Sequence, residues 1–198
     1  MKKELLNIEN ASSNQQIMEH SKHQIMLGHT SRNVEDYLKS LDLRHNGHYK
    51  NKPHYIISKE GVVIKVLEPH ICTNFFGSLE IDNNIIIILL ENEGWLKPKK
   101  GNPGLCDWLG NIYKGEVFEK KWRNKIFWST YTEKQVESLT ILLNDLCNNL
   151  NINMNFIGHN VRIEGVEKFK GVVTRSNYSE YFTDLSPAFN FEKIKQII

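Results

Sequence analysis

Apolar and polar positions fall in blocks that read as short strands and amphipathic helices. Gln24-Ile25-Met26-Leu27 is an apolar run that stops at Gly28-His29-Thr30, which predicts a buried strand ending in a turn. Asn33 precedes Val34, Tyr37, Leu38 and Leu41 at helical spacing and is read as a helix cap. Tyr55-Ile56-Ile57 and the run Val62 to Val66 flank Lys59-Glu60-Gly61, the pattern of a β-hairpin. Ile85 to Leu90 is apolar throughout and mostly β-branched, bounded by Asn83-Asn84 and Glu91-Asn92, which predicts a central strand covered on both faces. Thr132-Glu133-Lys134-Gln135 forms a capping box opening a helix with Val136, Leu139, Leu143, Leu146 and Leu150 on one face. Phe156-Ile157 reads as a further strand ending at Gly158-His159.

The remaining stretches read as irregular. Residues 94–128, which hold all four tryptophans, predict a long ordered loop with short elements packed by its own rings. Residues 171–191 are loop-like and the chain end forms a short helix. Residues 1–23 are a polar arm with one short helix, and 24–198 the folded domain. Strands alternating with helices around a buried strand predict a single α/β domain, a central mixed β-sheet flanked by helices.

Charge narrows the function. With 25 Lys+Arg against 23 Asp+Glu over 198 residues, the chain lacks the basic excess of a nucleic-acid binder working by counterion release. No apolar run approaches the roughly 18 residues of a membrane span, which argues against membrane insertion. Cys72, Cys106 and Cys147 are odd in number and form no Cys-x-x-Cys pair, so neither a disulfide framework nor a zinc knuckle is expected. No signal peptide is readable after Met1-Lys2-Lys3-Glu4, so the expected place of synthesis is the cytoplasm, with phage delivery or virion association as the route to any wall substrate. The 22 Asn, 21 Ile and 20 Lys against only two Ala follow A/T-rich codons and point to a low-GC bacterium or its phage. Seven of the eight histidines lie in the first 70 residues, which invites a metal-site reading.

The order of the pieces resembles the zinc-dependent type 2 N-acetylmuramoyl-L-alanine amidases, which share their fold with peptidoglycan recognition proteins. The matching segments are Ile25 to Ser31, His54-Tyr55-Ile56-Ile57 with Glu60-Gly61, Ile85 to Gly94, Tyr131 to Leu150, Ile157-Gly158-His159, and Asp184-Leu185-Ser186-Pro187-Ala188-Phe189. The resemblance implies three protein ligands holding zinc with an open fourth position. The metal would polarise an amide carbonyl and activate a water against the bond between muramic acid and L-Ala.

Residue by residue, the resemblance carries two zinc positions onto His159 and Asp184. The third falls on Gly28, with His29 one residue later; adjacent strand residues face opposite ways, so His29 joins the set only through a bulge or slip. The family's proton-transfer position before His54 is Pro53, a frequent His position is Phe75, and a frequent Lys position is Phe182. No catalytic residue is therefore assigned. The expected metal set is His159, Asp184 and His29, and the expected ligand-binding set is His54, Arg175, Asn177 and Tyr178. Arg175 offers a planar fork for the acidic groups of a muramyl peptide; His54 has packing at a strand start as its other reading.

The implied function is that of an amidase-fold protein, encoded by a phage or prophage, that binds a peptidoglycan fragment or another small anionic ligand in a groove whose zinc site is degenerate. Two alternatives stand beside it: an active amidase, endolysin or tail-associated, and a phage accessory protein sequestering a host small molecule. No cofactor is expected unless the site functions, in which case it is zinc. Oligomeric state stays open.

Overall fold

The computed structural model describes residues 6–7, 22–47 and 49–195. Its main sheet has six strands: β1 (Leu6–Asn7), β2 (Gln24–His29), β3 (Tyr55–Ile57), β4 (Val63–Lys65), β5 (Ile85–Leu90) and β10 (Gly171–Thr174), in the order β1-β4-β3-β5-β2-β10. Only β3 and β4 pair antiparallel, as the hairpin pattern predicts; the other neighbours are parallel. Helices α1 (Val34–Leu43), α2 (Leu79–Asn84), α3 (Glu133–Leu150), α4 (Arg175–Tyr178) and α5 (Glu192–Lys195) surround this mixed sheet. No helix among the described residues is long and apolar enough to cross a membrane.

The continuous apolar run of β5 is explained by burial on both faces. Ile86, Ile88 and Leu90, with Ile25 and Leu27 of β2, pack under Val136, Leu139, Leu143 and Leu146 of α3. The alternate residues Ile85, Ile87 and Leu89, with Met26, pack with Val166, Val173, Tyr37 and Phe76 on the other face. Alternation with period two thus feeds two separate cores.

Polar side chains fix where the helices and loops meet the strand ends. The Thr132 hydroxyl accepts from Gln135 N–H at 3.2 Å, and Gln135 Oε1 accepts from Thr132 N–H at 3.0 Å, closing the capping box. The same Gln135 amide donates to Glu91 O (2.8 Å) and Ile57 O (3.3 Å), tying the start of α3 to the ends of β5 and β3. Gly61 in the β3–β4 connection has φ +81°, and a Cβ there would lie 2.8 Å from Lys134 O, so both conformation and space call for glycine.

The structure departs from the sequence reading in three places. Residues 95–129 fold into a second, four-stranded antiparallel sheet rather than a long loop. Its strands are β6 (Trp95–Pro98), β7 (Leu105–Cys106), β8 (Val117–Trp122) and β9 (Lys125–Ser129), ordered β7-β6-β9-β8. Arg123 and Asn124, with φ of 47° and 61°, make the two-residue turn between β8 and β9. The Asn92 amide staples this sheet to the main one, donating to Ser129 O and Thr130 O and accepting from Gly94 N–H and Ser129 Oγ. Second, residues 171–174 are the edge strand β10, whereas Phe156 makes only a single bridge to Val172. Third, Leu6–Asn7 of the expected arm pair with β4; the short helix expected in that arm lies outside the described residues.

Replacing Gly61 by alanine forces a side chain into left-handed backbone against the α3 main chain. We expect a loss of about 2 kcal/mol or more, read as a lower urea midpoint at unchanged slope; an unchanged midpoint would show that the β3–β4 connection does not pack on α3 as described.

Candidate functional site

Parallel α/β sheets bind ligands at the carboxyl ends of their strands, and here the ends of β2, β5 and β10 converge on Asp184. This residue is 3% exposed. Oδ2 accepts from the His29 N–H at 3.2 Å, and its own carbonyl is held by Ser176 N–H and Oγ at 2.6 and 2.7 Å. A Cβ added at Gly28 would lie 2.6 Å from Asp184 Oδ2 and 3.0 Å from Leu89 Cδ2. Gly28 is not among the residues with positive φ, so its backbone conformation accepts a side chain, but one there would have to displace the Asp184 carboxylate.

The β2–β5 register runs unbroken through Gly28↔Leu89 and His29↔Leu90. No bulge re-aims His29. Its ring lies on the α3 side, with Nδ1 3.2 Å from the Tyr131 hydroxyl, and Nε2 faces Gly94, where an added Cβ would lie 2.7 Å away. Burial, partly opposed by the Asp184 charge, lowers the His29 pKa below the usual imidazole value and favours the neutral ring. His159 is exposed, and its Nδ1 accepts from Val161 N–H at 3.2 Å. Among the described residues, no three His, Cys, Asp or Glu side chains form a group able to hold a metal ion, so the expected set of His159, Asp184 and His29 is not gathered. The residues present do not fit a three-ligand zinc centre.

The positive charge opposite Asp184 comes from Arg175, at the start of α4. Arg175 Nη1 lies 3.8 Å from Asp184 Oδ2. The guanidinium lies near two rings, its Cζ 4.0 Å from the Phe182 centroid and 5.1 Å from that of Phe75, within the range of cation–π contacts. Arg175 Nε is buried with no hydrogen-bond partner. Gly28, Phe75 and Phe182, three places where the sequence leaves the amidase pattern, therefore meet around one ion pair.

The other members of the expected ligand-binding set have structural duties. His54 is fully buried; its Nδ1 accepts from Ile87 N–H at 3.0 Å and Nε2 lies 2.9 Å from Ile71 O, so neither ring nitrogen is left for a ligand. Desolvation pushes its pKa down to about 3. Asn177 is also fully buried: Oδ1 accepts from Thr174 N–H and Oγ1, and Nδ2 donates to His159 O and Val161 O. It braces the loop that carries His159. The Tyr178 hydroxyl donates to Gln24 Oε1 and its ring packs on Phe76 at 4.5 Å, leaving one edge on a neighbouring cleft. Arg123 had no role in the sequence reading. Its guanidinium donates to the carbonyls of Asn160, Ser176, Ser179 and Phe182, so the β8–β9 turn holds the segment leading to Asp184. The signal for that turn is Arg123-Asn124 between two short runs that each carry Phe and Trp.

Solved structures resemble the fold as a whole. The chain superposes on the N-acetylmuramyl-L-alanine amidase AmiD from E. coli, crystallised with anhydro-N-acetylmuramic acid-L-Ala-D-γ-Glu-L-Lys, with a TM-score of 0.56 and 14% identity over 92% of this chain and 59% of that one. AmpDh3 from Pseudomonas aeruginosa, in complex with anhydromuramic pentapeptide, gives 0.57 and 12% over 98% and 66%. An AmpD derivative gives 0.51 and 11% over 91% and 86%. The fold is amidase-like. No protein-family model matches the sequence, and no curated protein does. The chain thus spans 59% and 66% of the first two of these amidases, and at such identities the likeness speaks for the fold.

The buried histidines of this amidase-like fold predict an acid-sensitive stability. The unfolded chain takes up a proton at His54 near the ordinary value of 6.5, whereas the folded chain resists until about 3. Stability is therefore full above pH 6.5 and falls below it, by about 1.4 kcal/mol per pH unit for such a histidine; the lowered pKa of His29 acts in the same direction. Urea midpoints measured below pH 6.5 should fall less steeply in His54→Gln than in the wild type; equal slopes would contradict the assignment.

Proposed function

We propose that this amidase-like protein, of phage or prophage origin, holds a muramyl peptide or another small anionic ligand in its groove without hydrolysing it. One observation carries the reading: a guanidinium beside Phe75 and Phe182 faces Asp184, while Gly28 provides no ligand atom. The arginine balances the buried carboxylate that a metal ion would otherwise balance. A guanidinium neither polarises a carbonyl as a Lewis acid does nor activates a water to hydroxide as a metal ion does. Its fork suits carboxylate and phosphate oxygens instead. Pro53 supplies no proton at the position where the resemblance places the assisting group. The muramyl peptides bound to AmiD and AmpDh3 name the first ligand class to try, since both carry carboxylates on a sugar-linked peptide.

Titration calorimetry with a muramyl tripeptide should give saturable binding that weakens roughly tenfold in Arg175→Ala, with Arg175→Lys between the two because it keeps charge and loses the fork. Purified cell walls incubated with the protein and added zinc should keep their turbidity. Clearing of those walls, abolished by His159→Ala, would establish the active amidase in place of this reading. Co-purification of a host metabolite, with no affinity for muramyl peptides, would transfer the pocket to the sequestering alternative.

A further inference from the structure

Charge is unevenly shared between the two sheets. Residues 95–129, which form the second sheet, hold eight Lys and Arg against three Asp and Glu, and the rest of the chain holds 17 against 20. Six exposed large apolar side chains lie in the same stretch: Trp108, Leu109, Ile112, Val117, Phe118 and Ile126. A sheet both basic and apolar on its outside, in a chain of nearly balanced charge, marks a surface for a partner. The Arg175 site draws on only one of these cations, Arg123.

Strand pairing gathers part of this surface on one face. Trp95 of β6 and Phe118 of β8 flank Trp128 of β9 from either side. Side chains two residues apart along a strand share a face, so Lys97 and Ile126 lie on the face of Trp95 and Phe118. The ladder then pairs Glu119 with Phe127 and Trp122 with Lys125, so Lys120 and Lys121 both stand opposite Ile126 in a bulge. Lys97, Phe118, Lys120, Lys121 and Ile126 are all exposed. Lys125 adds a fourth cation: its Nζ and that of Lys97 lie 3.7 and 5.7 Å from the Trp95 ring centroid. None of these four lysines forms an ion pair among the described residues. Glu119 pairs with Phe127, and both alternate onto the opposite face.

Unpaired cations around Phe118 and Ile126 ask for a partner that is anionic and also takes up apolar side chains. A nucleic acid or other polyanion meets the first demand only, since its phosphates offer nothing to Phe118 and Ile126. A protein partner could meet both, but the cores of protein interfaces are poor in Lys and enriched in Arg, and the four cations named on this face are all Lys. A bilayer surface meets both demands with Lys: the ammonium heads reach lipid phosphates while their stems and the neighbouring apolar side chains enter the headgroup–acyl boundary. We propose that this face of the second sheet docks on an anionic lipid surface, as a peripheral contact with no segment crossing the bilayer. The docking is independent of the ligand held at Arg175.

The test is sedimentation of the full chain with lipid vesicles. Mixed phosphatidylglycerol and phosphatidylcholine vesicles should carry the protein down at low salt, phosphatidylcholine alone should not, and rising salt should release it. Lys120→Glu combined with Lys121→Glu, at exposed positions in the bulge, should weaken binding roughly tenfold or more. Phe118→Ser combined with Ile126→Ser should weaken it as well, because the apolar side chains enter the boundary layer. No sedimentation with the anionic vesicles, equal sedimentation with the neutral ones, or full binding by the lysine variant would overturn the docking face. Binding that needs the lysines but is indifferent to Phe118→Ser with Ile126→Ser would overturn it too, by exposing a general polyanion mode. Muramyl tripeptide titrated without vesicles reports on Arg175 alone, so either reading can fail while the other stands.

Discussion

The arrangement around the strand ends depends on one buried carboxylate. Asp184 sits against the backbone of β2, where any side chain at position 28 would stand, and takes a hydrogen bond from the His29 main chain. A buried carboxylate without a counter-charge is costly, and removing one partner of such a pair usually costs about 3–5 kcal/mol. Every nearby choice answers that requirement. Arg175 brings the charge, Phe75 and Phe182 hold its plane, and Ser176 and Arg123 fix the main chain on either side of Asp184. Gly28 leaves the room.

This constraint also explains why His29 cannot take up a neighbouring role. The β2 strand is paired on both sides, with β5 and β10, and a one-residue slip would turn Ile25 and Leu27 out of the α3 core and Met26 into it. The strand therefore keeps its register, and His29 stays on the face of Tyr131 and Gly94. A buried neutral ring there serves packing and a hydroxyl contact.

Much of the main sheet was legible in the sequence because burial leaves periodic marks. The apolar β5 run, the hairpin around Gly61 and the capping box of α3 each stand in the structure where the pattern places them. The second sheet was not legible as a sheet. Its β8 strand, VFEKKW, is mostly exposed and carries adjacent charges, so the alternation that marks a half-buried strand is faint. Gly171–Thr174 was missed because so short an edge strand is set by pairing with β2 rather than by its own four residues. At the site, Gly28, Phe75 and Phe182 were visible one by one as departures from a pattern. Their meeting around Arg175 and Asp184 was not, since Gly28 and Phe75 lie 147 and 100 positions before Arg175 and only the fold brings them there. His54 and Asn177 misled for the opposite reason: a polar residue near a motif carries the same letter whether it faces a ligand or ties down the main chain.

If a guanidinium rather than a metal ion balances Asp184, metal analysis of protein purified without chelators and without a metal-affinity step finds zinc far below one ion per chain, unaltered by His159→Ala. Close to one zinc per chain, lost in His159→Ala and in Asp184→Ala, would show that a metal ion fills that role instead.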